Sequence, residues 1–163
     1  MVRPTSDRMR QSLFNILRHP RWDSDFDLKG KNVMDLFCGS GSLGLEALSN
    51  GAKKCFFIDQ DIKAVTNNTG FVPEDQFEII QGNAMRIPKA IKNIDLVFMD
   101  PPYHQNLIVP TLEAIVSENI LNDGAVLIIE AEKGLAFSHD FEVLDMRSQS
   151  QSDLHFLRYN TTI

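Results

Sequence analysis

The 163-residue chain predicts an α/β fold, a doubly wound parallel sheet made mixed by a C-terminal antiparallel hairpin. Three observations carry this. Five short apolar segments alternate with stretches of helical spacing, the pattern of a parallel sheet with crossover helices. The first apolar segment runs into Gly39-Ser40-Gly41-Ser42-Leu43-Gly44, a glycine turn between a strand and a helix. Two further segments, Phe141 to Met146 and Leu154 to Asn160, read as a closing antiparallel pair.

Thr5-Ser6-Asp7 supplies helix-cap chemistry, and Met9, Leu13, Ile16 and Leu17 follow at helical spacing. A helix is predicted from about Ser6 to Arg18, ended by His19-Pro20, with Arg8 and Asn15 off its apolar stripe. Residues 19–30 are polar, and Trp22, Phe26 and Leu28 dock them onto the body. A strand from Asn32 to Phe37 precedes the glycine turn, and the next helix runs through Leu48 to a stop at Asn50-Gly51, residues that tolerate a left-handed backbone. Cys55 to Ile58 is a second strand ending at Asp59, and Asp61 begins a helix to about Thr69. A third strand, Phe77 to Ile80, ends at Gly82-Asn83, and a helix is predicted over Ala84 to Ile91. The fourth strand occupies Ile94 to Met99. A helix over 107–118 and a fifth strand from Gly124 to Glu130 complete the alternation.

Length fits one domain spanning 1–163, long enough to bury roughly 70% of its unfolded surface. The composition, 43% hydrophobic and 23% charged, is ordinary for a soluble globular chain. No run approaches the ~18 apolar residues of a membrane span. Cys38 and Cys55 have neither CxxC spacing nor histidine partners, so neither a metal site nor a disulfide framework is expected. A reducing, cytoplasmic setting follows. The net charge of −6 argues against strong nonspecific nucleic-acid binding. Its distribution says more: residues 1–22 carry +4 and the remainder −10. This basic N-terminal arm can guide a phosphate backbone to one edge of an acidic body, or be a solvated helix face.

The chemistry concentrates at Ile94 to His104, I-D-L-V-F-M-D-P-P-Y-H. Pro101 and Pro102 cannot donate ladder hydrogen bonds, so the strand stops at Asp100. Asp100 and Tyr103 then occupy a stiff loop at the carboxyl end of a central strand, where open α/β sheets bind ligands. This suits methylation of an exocyclic base amine, whose lone pair is delocalised into the ring. Asp100 accepts one N–H and the Pro101 carbonyl the other, and charge growing on nitrogen meets fixed negative dipoles. Tyr103 offers a stacking face, worth roughly 1–3 kcal/mol per base. A plain strand-ending turn with a buried Tyr is the bland alternative.

The glycine turn alone also fits a dinucleotide. Asp35 inside the first strand end, the lack of a hydride-handling His or Lys constellation, and Asp100 beside its prolines point instead to S-adenosylmethionine. The helix amino terminus and Asp35 can receive its carboxylate and ammonium. Asp59 can accept from both ribose hydroxyls, or cap the next helix. Asn83 can bond the adenine amine, or simply make a turn. Cys38 has no base beside it and reads as a structural small residue.

The segments D-L-F-C-G-S-G-S-L-G-L-E-A-L (35–48), I-D-Q-D (58–61), G-N-A-M (82–85), D-P-P-Y (100–103) and R-P-T-S-D-R-M-R-Q-S-L-F-N-I-L (3–17) resemble the bacterial 16S ribosomal RNA guanine-N2 methyltransferases of the RsmD type. The resemblance covers nearly the whole chain. D-P-P-Y and the glycine loop fix only the class, and the Arg-Pro-Thr segment is the selective part. It implies a Rossmann-like class I methyltransferase fold and S-adenosyl-L-methionine as cofactor. The implied cofactor contacts are Thr5, Asp35, Phe37, Gly39, Gly41, Asp59, Asn83 and Ala84. Asp100, Pro101 and Tyr103 are implied at the target base, and Arg3, Arg8 and Arg10 at the RNA.

The implied partner is 16S rRNA or the small ribosomal subunit, with no metal, no membrane and a monomeric enzyme. Relatives of this type carry a basic, glycine-containing β-hairpin before the Arg-Pro-Thr segment. Only Met1-Val2 precede it here, so a trimmed chain or a misplaced start is expected. The rival readings are an adenine-N6 DNA methyltransferase, for which the chain has no spare target-recognition segment, and a glutamine methyltransferase of proteins, which usually carries Asn where Asp100 stands. A non-catalytic cofactor-binding ribosome-assembly factor would have no use for D-P-P-Y.

Overall fold

The computed structural model describes residues 7–102 and 105–161. Thr5, Arg3 and Tyr103, expected at the site, therefore lie outside the described residues.

Seven strands form one sheet in the order β3-β2-β1-β4-β5-β7-β6. The strands are β1 (Asn32–Leu36), β2 (Lys54–Asp59), β3 (Phe77–Gln81), β4 (Ile94–Met99), β5 (Leu121–Glu132), β6 (Phe141–Ser148) and β7 (Ser152–Tyr159). The first five pair in parallel. β7 lies antiparallel between β5 and β6, which makes the sheet mixed as expected. The order in which strands are added reverses between β1 and β4, the switch point at which ligands bind in such sheets.

Side-chain alternation divides the core into two layers. Val33, Phe57, Leu96 and Phe98 face one side, where the helices α1 (Asp7–Arg18), α2 (Ser42–Ser49) and α3 (Lys63–Asn68) supply Phe14, Ala47 and Val65. Met34, Ile58, Val97 and Met99 face the other, covered by α4 (Ile108–Ser117) through Leu112 and Ile115. Phe14 of α1 is fully buried and meets Phe98 with ring centroids 5.9 Å apart.

Asn50 and Gly51 end α2 as expected. Gly51 has φ +102, and the Ala52 and Gly51 N–H groups return to the carbonyls of Ala47 and Leu48 at 3.0 and 3.1 Å, satisfying the last turn. The Arg18 guanidinium meets Asn50 Oδ1 at 2.9 Å. Because α2 leaves the ligand edge and ends at the opposite edge, α1 begins near the ligand edge and runs away from it.

One expected element is corrected. The segment from Ala84 to Ile91 is not a helix. It is two turns, closed by Arg86 N–H to the Asn83 carbonyl at 2.9 Å and Ile91 N–H to the Pro88 carbonyl at 3.0 Å. Ala84, Ile87 and Ile91 are buried at the helical spacing, but Pro88 has no N–H and holds Ile87 out of the α region. The spacing was right about burial and wrong about backbone.

Candidate active site

At the carboxyl edge of β1, β2 and β4 a cleft of about 510 Å³ opens, lined by Asp35, Gly39, Asp59, Asn83, Asp100 and Pro101 among others. β1 stops at Leu36 because Phe37 takes φ +55, a left-handed conformation that costs a bulky residue energy and is found where a site dictates it. Gly39 follows with φ +55 and turns its N–H onto Asp59 Oδ2 at 2.8 Å. Asp59 Oδ1 accepts the Asp61 N–H at 3.1 Å. Each oxygen of this carboxylate keeps a second lone pair, so a rigid acceptor pair stands at the end of β2.

Asp35 lies on the α2 side of β1, only 2% exposed, and its Oδ2 accepts the Gly44 N–H at 3.0 Å. Burial pushes its carboxyl up to about 8, against the Gly44 N–H and with help from the negative Asp59. This is a carboxyl held mostly protonated at neutral pH, next to a cleft where a cation can ionise it.

The three glycines of the turn do different work. Gly41 is not among the residues that line the cleft. It has φ +79 and turns inward, and a Cβ there would meet Val65 Cγ2 at 2.7 Å. Gly44 lets α2 close onto the sheet, since its Cβ would stand 2.5 Å from Phe57 Cε1 and 2.6 Å from Cys55 Sγ. Only Gly39 presents backbone to the cleft. Asn68 of α3 was not foreseen: its amide donates to the Ser40 carbonyl at 2.9 Å and fixes the turn from outside. No local pattern signals such a contact, because it joins residues of different elements.

Asn83 spends its Oδ1 on the Met85 N–H at 2.8 Å, an Asx turn. Its Oδ1 keeps a second lone pair for an adenine amine, and its amide N–H is a partner for a ring nitrogen. Burial, then Asp35 and Asp59, push the Cys38 thiol up, so it is no nucleophile. Asp100 is half-buried at the cleft, with Pro101 and Pro102 completing that wall. Arg8 is exposed on α1, whereas Arg10 is tied to Asp7 at 2.8 Å. Among the described residues no group of three or more His, Cys, Asp or Glu side chains is placed to hold a metal ion. No described helix is long and apolar enough to cross a membrane.

A doubly wound sheet with this strand order, an acid before the glycine turn, an acid ending β2 and Asp-Pro-Pro ending β4 defines a Rossmann-like methyltransferase. The putative methyltransferase yhhF from Escherichia coli has the same fold, with TM-score 0.82 at 27% identity over 98% of this chain and 88% of that one. The profile of the family described as "Conserved hypothetical protein 95" matches residues 1–159.

The Ribosomal RNA small subunit methyltransferase D of Haemophilus influenzae is 36% identical over 141 residues, 81% of this chain and 69% of that one. The protein of the same name from Escherichia coli is 32% identical over 136 residues, 80% and 65% of the two chains. The chain belongs to this RsmD-type family of small-subunit rRNA methyltransferases.

Proposed function

We propose that the protein transfers a methyl group from S-adenosylmethionine to the N2 amine of a guanine in small-subunit ribosomal RNA. The observation that carries the reading is the convergence of Asp35, Asp59 and Asp100 on one cleft beside the glycine turn. The residues fit the donor: Asp59 suits a ribose diol, the Asn83 amide an adenine ring nitrogen, and Asp35 an ammonium. When bound, the donor supplies a methyl group made electrophilic by its sulfonium.

The chain supplies orientation and electrostatics. Asp100 and the Pro101 carbonyl each accept one N–H of the target amine and aim its nitrogen at the methyl group. As charge grows on nitrogen, the carboxylate stabilises it and is placed to receive the proton released. The base must leave its stack, at a cost of a few kcal/mol in a duplex and less in a loop. Tyr103 offers its ring to the extruded base, and Arg3, Arg8 and Arg10 offer charge to the phosphates.

The test is transfer of a labelled methyl group to small subunits, free rRNA, DNA and protein in parallel, with nucleoside mass spectrometry of the product. N2-methylguanosine in rRNA is expected, and label in DNA or protein alone refutes the reading. Asp100→Ala is expected to abolish turnover and leave donor affinity within a few fold. Equal loss of both would refute the role given to Asp100.

A further inference from the structure

A second, smaller cavity of about 130 Å³ lies beyond the proline turn and shares Pro101, Pro102 and Leu107 with the donor cleft. Its walls are largely apolar, with Ile108 and Leu135 on the far side, and the end of β5 adds the carboxylates of Glu130 and Glu132. Parallel pairing sets Met99 beside Ile129. The next residue on each strand is a carboxylate, so Asp100 and Glu130 each stand one residue past this pair, at the same end of neighbouring strands. Glu130 is half-buried, and its Oε1 lies 3.0 Å from Oγ of Ser152, a residue itself 2% exposed. Glu132 is exposed.

We infer that Glu130 is the base-selecting residue, accepting the N1–H of the guanine whose neighbouring N2 amine faces Asp100. This rests on the exocyclic-amine reading above. A carboxylate accepts and does not donate. Guanine alone sets a ring N–H directly beside its exocyclic amine, so two adjacent carboxylates each find a proton. Adenine and cytosine set a ring-nitrogen lone pair there, which faces the Glu130 lone pairs without a proton between them. Uracil has no exocyclic amine. A polar contact built for one hydrogen pattern discriminates against the other, because two lone-pair atoms then face each other with no proton between them.

The test separates the N2 amine from the N1 proton. Small-subunit rRNA, free or assembled according to which accepts the methyl group, is rebuilt by ligation with 2,6-diaminopurine at the modified guanosine. That base keeps the 2-amino group and turns N1 into an acceptor. The wild-type protein is expected to prefer guanine by about 10- to 100-fold in kcat/KM, the range for a lost hydrogen bond to a charged group. Glu130→Gln, whose amide can donate to N1, is expected to bring that ratio toward one. Glu132→Gln is expected to leave the ratio unchanged.

Equal use of both bases by the wild type, which needs no variant to fold, overturns the inference while the exocyclic-amine reading stands. So does a Glu130→Gln protein that binds S-adenosylhomocysteine normally and keeps the wild-type ratio. Wild-type protein that methylates no guanine overturns the reading beneath it and this inference together.

Discussion

On the proposed contact between Asp35 and the donor ammonium, the protonated state of Asp35 predicts that donor binding releases a proton. The perturbation is pH, and the ligand is S-adenosylhomocysteine, which carries the same ammonium as the donor. Free Asp35 titrates at about 8 because it is buried, and the amine of the ligand, that of a free amino acid beside its own carboxylate, keeps its proton through that range. In the complex the pair holds one proton, as carboxylate and ammonium. Below pH 7 the separate partners hold two, so one must leave on binding.

The binding-competent pairing of an ionised Asp35 with a protonated amine therefore grows about ninefold from pH 6 to pH 7 and levels off above pH 8. Titration calorimetry at pH 6 in two buffers of different ionisation enthalpy should show close to one proton released per ligand. Asp35→Asn should bind more weakly at pH 8 and lose the rise between pH 6 and 7. A wild-type affinity flat from pH 6 to 7, with no proton released, would refute the ammonium contact at Asp35.

The same carboxyl shapes stability. Between the ordinary aspartate value of 3.8 and about 8 the folded chain binds more protons than the unfolded one, so this residue's contribution falls as pH rises, by up to ~1.4 kcal/mol per pH unit. Asp35→Asn should therefore gain on the wild type in urea unfolding from pH 5 to 7. Gly44→Ala should lower stability by about 1–3 kcal/mol, because a Cβ would press on Phe57 and Cys55, and thermal melts would show it. Cys38 and Cys55 are buried and their thiols are pushed up, so a thiol reagent should label neither until denaturant is added. Arg8→Glu should weaken rRNA binding and flatten its salt dependence by about one phosphate contact. Arg10→Glu should do less, since Arg10 is already shared with Asp7.

The strand ends were the legible part of the sequence. Paired prolines must stop β4, a glycine turn must follow β1, and Asn50-Gly51 must end α2, because each depends on backbone chemistry within a few residues. The expected helix from Ala84 to Ile91 fails because turns bury apolar residues at i, i+3 and i+7 equally well, and Pro88 supplies a reason for turns within the same eight residues. Gly41 misled for another reason. Its partners Val65 and Phe57 come from α3 and β2, so only the packed structure distinguishes a glycine that serves the ligand from one that serves the fold. The position of Asp35 at the cleft is legible from the glycine turn that follows it, but its proton is not, since that depends on how completely it is buried.

Asp35 and Asp59 also act on each other, and this separates two accounts of Asp59. If Asp59 only bonds the ribose, Asp59→Asn weakens ligand binding equally at every pH. The structure adds a second effect, because the Asp59 charge helps burial to raise Asp35. Removing that charge lowers the Asp35 value, and the steep rise in affinity should move to lower pH. The ribose contact sets the height of the pH profile, and the Asp59 charge sets its position. A calorimetric profile of Asp59→Asn that is lower but unshifted would show that the Asp59 charge does not act on Asp35.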